Sequence, residues 1–157
     1  EYLLTARTRL AKKYYKSGIV YVRIRRYGPA KTYFQKVIDD YTDTEYATKA
    51  SYQLAEIDYA NRDFGEALRR YDNFLAVFPD HELSREAARK AEEAAFKWAE
   101  AAFRNGDYDQ ARQRFEMFLN DYSASKRRDK ADRYLEEIAA MSPSEPVTDS
   151  TGSENEG

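Results

Sequence analysis

Phe64-Gly65-Glu66-Ala67-Leu68-Arg69-Arg70-Tyr71-Asp72-Asn73-Phe74-Leu75-Ala76-Val77-Phe78-Pro79 decides how this chain folds. Its apolar residues recur at three- and four-residue steps, the period of one helix face. A small alanine, Ala67, is followed four residues later by a large aromatic, Tyr71, and Phe78-Pro79 ends the pattern. The same order stands on either side. Tyr27, Phe64 and Tyr108 correspond, as do Ala30, Ala67 and Ala111, and Phe34, Tyr71 and Phe115. Ile38, Leu75 and Leu119 follow, then Tyr41, Phe78 and Tyr122, then Ala50, Ala87 and Ala131. The period is 37 residues and then 44, so the second interval carries seven more residues, about two helical turns. Positions held in register across three copies mark an internal repeat.

Composition agrees with helices throughout. The 157 residues include 22 Ala against 10 Val plus Ile, with only 6 Gly and 4 Pro, which excludes a β-sandwich and a doubly wound α/β fold. Fourteen Tyr and 8 Phe on that background imply large-into-small packing between helices. The spacing predicts a first helix interrupted at Tyr27-Gly28-Pro29 and a second ending at Thr42-Asp43-Thr44, whose side chains suit capping of the next helix. Further helices are expected from about Glu45 to Asn61, Gly65 to Val77, beyond Pro79-Asp80 to about Arg104, Asp109 to Asp121, and Lys126 to Met141. Residues 142–157 hold no aromatic, no Lys or Arg and four acids, the composition of a disordered acidic tail. The chain opens on Glu1 within a helical pattern, as expected of a mature or excised piece.

These signatures resemble the tetratricopeptide repeat: a small residue in each first helix (Gly18, Ala55, Ala99), an aromatic before each second helix, then Ala-x-x-x-aromatic and a closing turn. The implied fold is all-α, a right-handed α-solenoid of three helix pairs over about 5–43, 44–80 and 81–123, with a capping helix at 124–141. The first copy, with Arg9-Leu10-Ala11-Lys12-Lys13-Tyr14-Tyr15, Gly18, Tyr21, Arg23, Tyr27, Ala30, Tyr33-Phe34, Val37-Ile38 and Tyr41-Thr42-Asp43-Thr44, resembles the C-terminal repeat of the BamD family. Those are lipoproteins of the outer-membrane β-barrel assembly machinery.

The resemblance implies a non-enzymatic scaffold in the periplasm, associated with the outer membrane. Its expected partners are the periplasmic domains of the barrel-forming subunit, with other assembly lipoproteins and unfolded outer-membrane proteins as further candidates. The family's partner-contacting basic residue aligns near Tyr33 or Lys36, and Tyr33 is not basic. Such a protein carries a lipidated N-terminal Cys and further repeats upstream. The resemblance therefore implies a C-terminal portion, attached to the membrane through that missing part or through partners.

The chemistry-bearing residues point the same way. There is no Cys, which excludes disulfides, thiolate metal sites and Cys nucleophiles. His81 is the single histidine and reads as a solvated turn residue; Asp39-Asp40 and Glu92-Glu93 read as solvated faces. No catalytic set, metal site or cofactor motif is recognised. Net charge is −2, yet residues 1–38 hold ten Lys or Arg against Glu1 alone. Arg9, Lys12, Lys16 and Arg23 fall on one helix face, with Arg25 and Arg26 following. That stripe is either solvated, paired with acidic helices of the same chain, or a docking surface for an acidic protein. A second candidate is the concave wall of first helices: Tyr15, Val22, Tyr52, Glu56, Tyr59, Phe96, Glu100 and Phe103, suited to an extended or helical peptide. Residues 61–141 match generic periplasmic repeats, including Tol-Pal-associated adaptors, which gives an alternative envelope-adaptor role. Binding of lipid surfaces or nucleic acid through the basic first helix is the third reading.

Overall fold

Each break in the apolar periodicity becomes a turn, and each turn sends the chain back along the helix it has just left. The computed structural model describes residues 2–141. In it the chain forms α1 (Tyr2–Arg23), α2 (Tyr27–Asp40), α3 (Glu45–Ala60), α4 (Phe64–Val77), α5 (Ser84–Arg104), α6 (Tyr108–Asp121) and α7 (Arg128–Met141). Every helix packs on the next in sequence, and the first helices α1 and α3 also touch. The result is an α-solenoid of three helix pairs closed by α7. The expected tail at 142–157 lies outside the described residues.

The repeat positions form the core. Ala30, Ala67 and Ala111 are fully buried, as are Phe34, Tyr71 and Phe115 four residues on. A small residue on the second helix brings its partner close, and the aromatic fills the groove that remains. The facing helix must also be small there. At Gly18 an added Cβ would lie 2.7 Å from Cε1 of Phe34, whereas Ala55 and Ala99 stand at the same place in the later pairs and are fully buried. The next core layer is Val37, Phe74 and Phe118, one residue before the half-buried Ile38, Leu75 and Leu119 that the sequence pattern had picked out. Counting from the alanine, a helix returns to the same face at the fourth and seventh residues, so position 37 and not 38 points inward.

The extra two turns of the third repeat lie inside α5, between Ala87 and Ala99. Buried Ala91, Ala94 and Ala95 line much of this stretch and let the long helix stack closely, with Phe96 entering the core beside them.

Two local expectations are corrected. Thr44 and Asp43 do not cap α3: Thr44 Oγ1 donates to the Tyr41 carbonyl at 2.8 Å, and Asp43 accepts from the Arg7 guanidinium at 2.7 Å. Both side chains therefore bind the preceding turn and α1. The last helix starts at Arg128, not Lys126, because Ser125 Oγ accepts the Arg127 N–H at 3.0 Å and holds that segment as a turn.

The turns inside each pair share one conformation. Arg25, Arg62 and Gly106 occupy equivalent positions, each with positive φ (56°, 65° and 82°). In each, the next residue's N–H reaches back five residues: Arg26 to Tyr21, Asp63 to Asp58, Asp107 to Ala102, all at 2.9 Å. This is the Schellman closure of a helix C-terminus, which favours glycine, yet two of the three copies use arginine.

Candidate functional site

Internal pairing takes up some cations of the basic segment and leaves others free of it. Arg7 pairs with Asp43, Lys36 with Asp40, and Lys31 with the buried Asp58. Arg9, Lys12, Lys16, Arg23, Arg25 and Arg26 are all exposed, and none is paired with a carboxylate among the described residues. Lys13, outside the stripe read from sequence, is exposed and unpaired as well. The helical repeat puts Arg9, Lys12, Lys13, Lys16 and Arg23 on the side of α1 opposite its buried Ala11 and Gly18. Arg25 and Arg26 continue from it in the α1–α2 turn.

Apolar side chains missed by the sequence reading lie among these cations. Val20 and Ile24 are 54% and 59% exposed, and Arg9, Lys12, Lys13 and Lys16 surround a shallow depression that includes Val20. Their signal was present in the seven- and four-residue spacing of Lys13, Val20 and Ile24, which keeps them on one helix face. An apolar patch ringed by cations is the layout of a protein interface, with area to bury and charge to orient a partner.

The proposed concave wall resolves differently. Tyr52 and Phe96 do not face a groove. Tyr52 packs on the rings of Tyr71 and Phe74, and Phe96 on Phe115 and Phe118, all within the helix pairs. Tyr15, Val22, Tyr59 and Phe103 are half-buried. Tyr15 leans on Phe34 and Tyr46, Tyr59 on Phe64, and Phe103 on Tyr108 and Tyr134.

The acids of this wall are tied into a ladder between neighbouring repeats. Glu56 accepts the Tyr71 hydroxyl and lies 3.9 Å from Lys90. Glu93 accepts the Tyr59 hydroxyl at 2.5 Å and pairs with Lys97 at 3.2 Å. Glu100 accepts from Tyr134 at 2.8 Å and Lys130 at 3.0 Å, and meets Arg104 at 3.2 Å. The Lys90 and Lys97 ammonium groups lie 4.4 and 4.9 Å from the Tyr59 ring centre. The Tyr59 hydrogen bond, against opposing burial, holds the Glu93 carboxyl below its ordinary range. Burial works to raise Glu100, but its bonds to Lys130 and Tyr134 and the nearby cations outweigh it, and its pKa is lowered too. Burial pushes the Tyr71 phenol up, reinforced by its bond to Glu56. These charges are already matched inside the chain. What stays open is a cleft of about 500 Å³ lined by Tyr59, Arg62, Phe64, Lys97, Glu100 and Arg104.

Two smaller readings change. His81 is not a solvated turn residue: its Nδ1 accepts the Leu83 N–H at 3.1 Å, and its ring meets Phe74 edge-on at 5.8 Å. It shapes the turn into α5. Glu92 and Glu93 are half-buried and not a solvated face; Glu92 accepts from Ser125 Oγ at 2.5 Å and pairs with Arg127, anchoring the turn before α7. Asp39 and Asp40 are exposed as expected. Among the described residues no acidic or histidine cluster is placed to hold a metal ion, and no helix is long and apolar enough to cross a membrane.

Comparison with known proteins gives two matches. A family described as outer membrane lipoprotein, YfiO, matches residues 7–89, and a tetratricopeptide repeat family matches residues 93–125. No curated protein matches the chain.

Proposed function

Since this chain belongs to the outer membrane lipoprotein family YfiO, we propose that it is a non-enzymatic periplasmic scaffold of outer-membrane β-barrel assembly that docks an acidic domain of the barrel-forming subunit. The docking surface is the outer side of α1 with the α1–α2 turn. One observation carries this reading: Arg9, Lys12, Lys13, Lys16, Arg23, Arg25 and Arg26 have no carboxylate partner among the described residues, while the acids of the concave wall are internally matched. Unpaired cations contribute nothing to holding the repeats together. They produce a field that steers an acidic domain toward this end of the solenoid. Arginine adds bidentate pairing with carboxylates once contact is made.

The test reverses Arg23, Arg25 and Arg26 to Glu and measures binding to the isolated periplasmic domains of the barrel-forming subunit at low and high salt. Strong loss of affinity with the helical circular dichroism unchanged is expected. A loss that fades with salt places the pairs at a solvated rim, and one that persists places them in the buried centre. Affinity unchanged at both salts removes the α1 surface from the interface. The alternative is then a peptide-binding envelope adaptor using the cleft at Tyr59, Arg62, Lys97 and Arg104, which the open volume there favours.

A further inference from the structure

The later first helices, α3 and α5, each have one face covered by the second helix before them. On α3 that face is Ala47, Ala50, Leu54 and Ile57, all buried, and the last three share a core with Ala30, Phe34 and Val37 of α2. On α5 the matching residues are Ala91, Ala94 and Trp98. The two alanines are buried with Tyr71 and Phe74 of α4, and the indole stands so close to α4 that a Cβ added at Gly65 would lie 2.9 Å from it. Counting back 37 residues from α3, the same face of α1 is Leu10, Lys13, Ser17 and Val20. No described helix lies over it. Leu10 is 46% and Val20 54% exposed, Lys13 is exposed, and Ile24 at 59% extends the face by one turn.

We infer that this face of α1 is a seat for one amphipathic helix of a partner, apolar along its middle and acidic at its edge, lying on α1 as α2 lies on α3; this rests on the proposed docking role of α1 and specifies the element that docks. The repeat sets the shape. Both covering helices, α2 and α4, are 14 residues long, and the rise from Leu10 to Ile24 is about 21 Å, the length of such a helix. Charge sets the chemistry. Lys13 stands in the seat where Ala50 and Ala94 stand in the other copies, and Arg9, Lys16 and Arg23 run along one edge at seven-residue steps. None of these cations has a carboxylate partner among the described residues. A purely apolar helix would bury the Lys13 charge unmatched, whereas a carboxylate on the incoming helix pairs it. The α1 of a second copy would bring like charges together. Lys13 and Ser17 also interrupt the apolar residues and leave a narrow seam, which suits a helix better than a lipid surface.

The probe is a fluorescein-labelled peptide of about five helical turns, Ala-based, with Leu at three- and four-residue steps and Glu beside them. Its control is a scrambled isomer of identical composition whose Leu residues no longer share a face. Both carry equal charge, so general attraction to the cations cancels in the ratio of their affinities for the full chain, read by fluorescence anisotropy. The patterned peptide is expected to bind roughly tenfold tighter or more. Leu10→Ser with Val20→Ser, both at exposed positions, should bring the ratio near one with the circular dichroism unchanged. Amide shifts should centre on Leu10, Lys13, Ser17 and Val20. Equal binding of the two isomers, or a ratio that survives the double substitution, overturns the inference. So does a dimer of the chain that the double substitution dissociates, or capture by phosphatidylglycerol vesicles that it abolishes, since either gives the seat to another occupant. Equal binding of the isomers while the barrel-subunit domains still bind through Arg23, Arg25 and Arg26 overturns the helix seat alone. A ratio that stands while those domains fail to bind overturns the proposed partner alone.

Discussion

Replacing Arg25 with Gly should make the protein more stable and its proposed docking surface weaker. Arg25 holds φ at 56°, a region where a Cβ costs roughly 1–2 kcal/mol because it crowds the following carbonyl. Glycine escapes that cost but loses more backbone entropy on folding, roughly 0.5–1 kcal/mol. The net expectation is a gain of about 0.5–1 kcal/mol, or about 2 °C in Tm for a chain of this size. The molecule supplies its own control, since Arg62 has the same turn with φ at 65° and Gly106 occupies the third copy at 82°. Arg62→Gly should stabilise by the same amount, and Gly106→Arg should destabilise by it, all read by thermal or urea unfolding. Only Arg25→Gly should also reduce binding of the acidic partner domain, because Arg62 lies outside the α1 surface. If Arg62→Gly stabilises and Arg25→Gly does not, Arg25 makes a compensating contact in the fold, and its description as an unpaired cation held for a partner is refuted.

Ala67→Leu should cost roughly 1–3 kcal/mol, because Ala67 is fully buried where α4 crosses close to its partner and the added carbons have no room; a urea titration with an unchanged midpoint would sink the repeat register. Acid should weaken the ladder between repeats. The Glu93 carboxyl is held below its ordinary value in the folded chain, so its contribution is present above that value and is lost as pH falls through the lowered one. Urea midpoints should therefore drop as pH falls from the ordinary carboxylate range through the lowered one, with Glu93→Gln flattening part of the slope; equal slopes in both proteins would remove Glu93 from the linkage.

The fold was legible because its determinants are local and repeated. Ala67 with Tyr71, and the same pair in two other places, states a close helix crossing directly in the sequence. The extra turns before Ala99 are likewise visible as spacing, whereas the interruption expected at Tyr27-Gly28-Pro29 falls at residues 24–26, because those three residues form the first turn of α2. The candidate surfaces were only partly legible. Periodicity assigned Tyr52 and Phe96 to first helices but could not tell an aromatic facing the groove from one turned into its own pair, a difference of a fraction of a turn. Thr44 and Asp43 have capping chemistry, but the Tyr41 carbonyl and the Arg7 guanidinium compete for them, and a contact from Arg7 across 36 residues has no local signature. The unpaired state of the α1 cations was similarly hidden. It depends on which acids come within reach: the solenoid brings Asp43 to Arg7 and Asp58 to Lys31, and Asp40 lies one helical turn from Lys36.

That division of charge argues for how the scaffold works. Where two repeats meet, each acid is held by a phenol or a cation from the neighbouring helix pair, as Glu93 is by Tyr59 and Glu100 by Lys130 and Tyr134. Such bonds fix the stacking angle, because breaking one leaves a half-buried charge without its partner. The α1 cations have no such task. Brought together on one helix and the turn after it, they repel one another mildly, and the fold would lose nothing by replacing them with neutral residues. The same holds more strongly for Arg25, which occupies a position where glycine would be better for stability. Residues that are neutral or costly for folding, gathered on one surface with exposed Val20 and Ile24 between them, are what the proposed acidic partner would account for by supplying the missing carboxylates. The Arg25→Gly and Arg62→Gly pair separates that explanation from chance, because the two share their strain and differ only in the surface they serve.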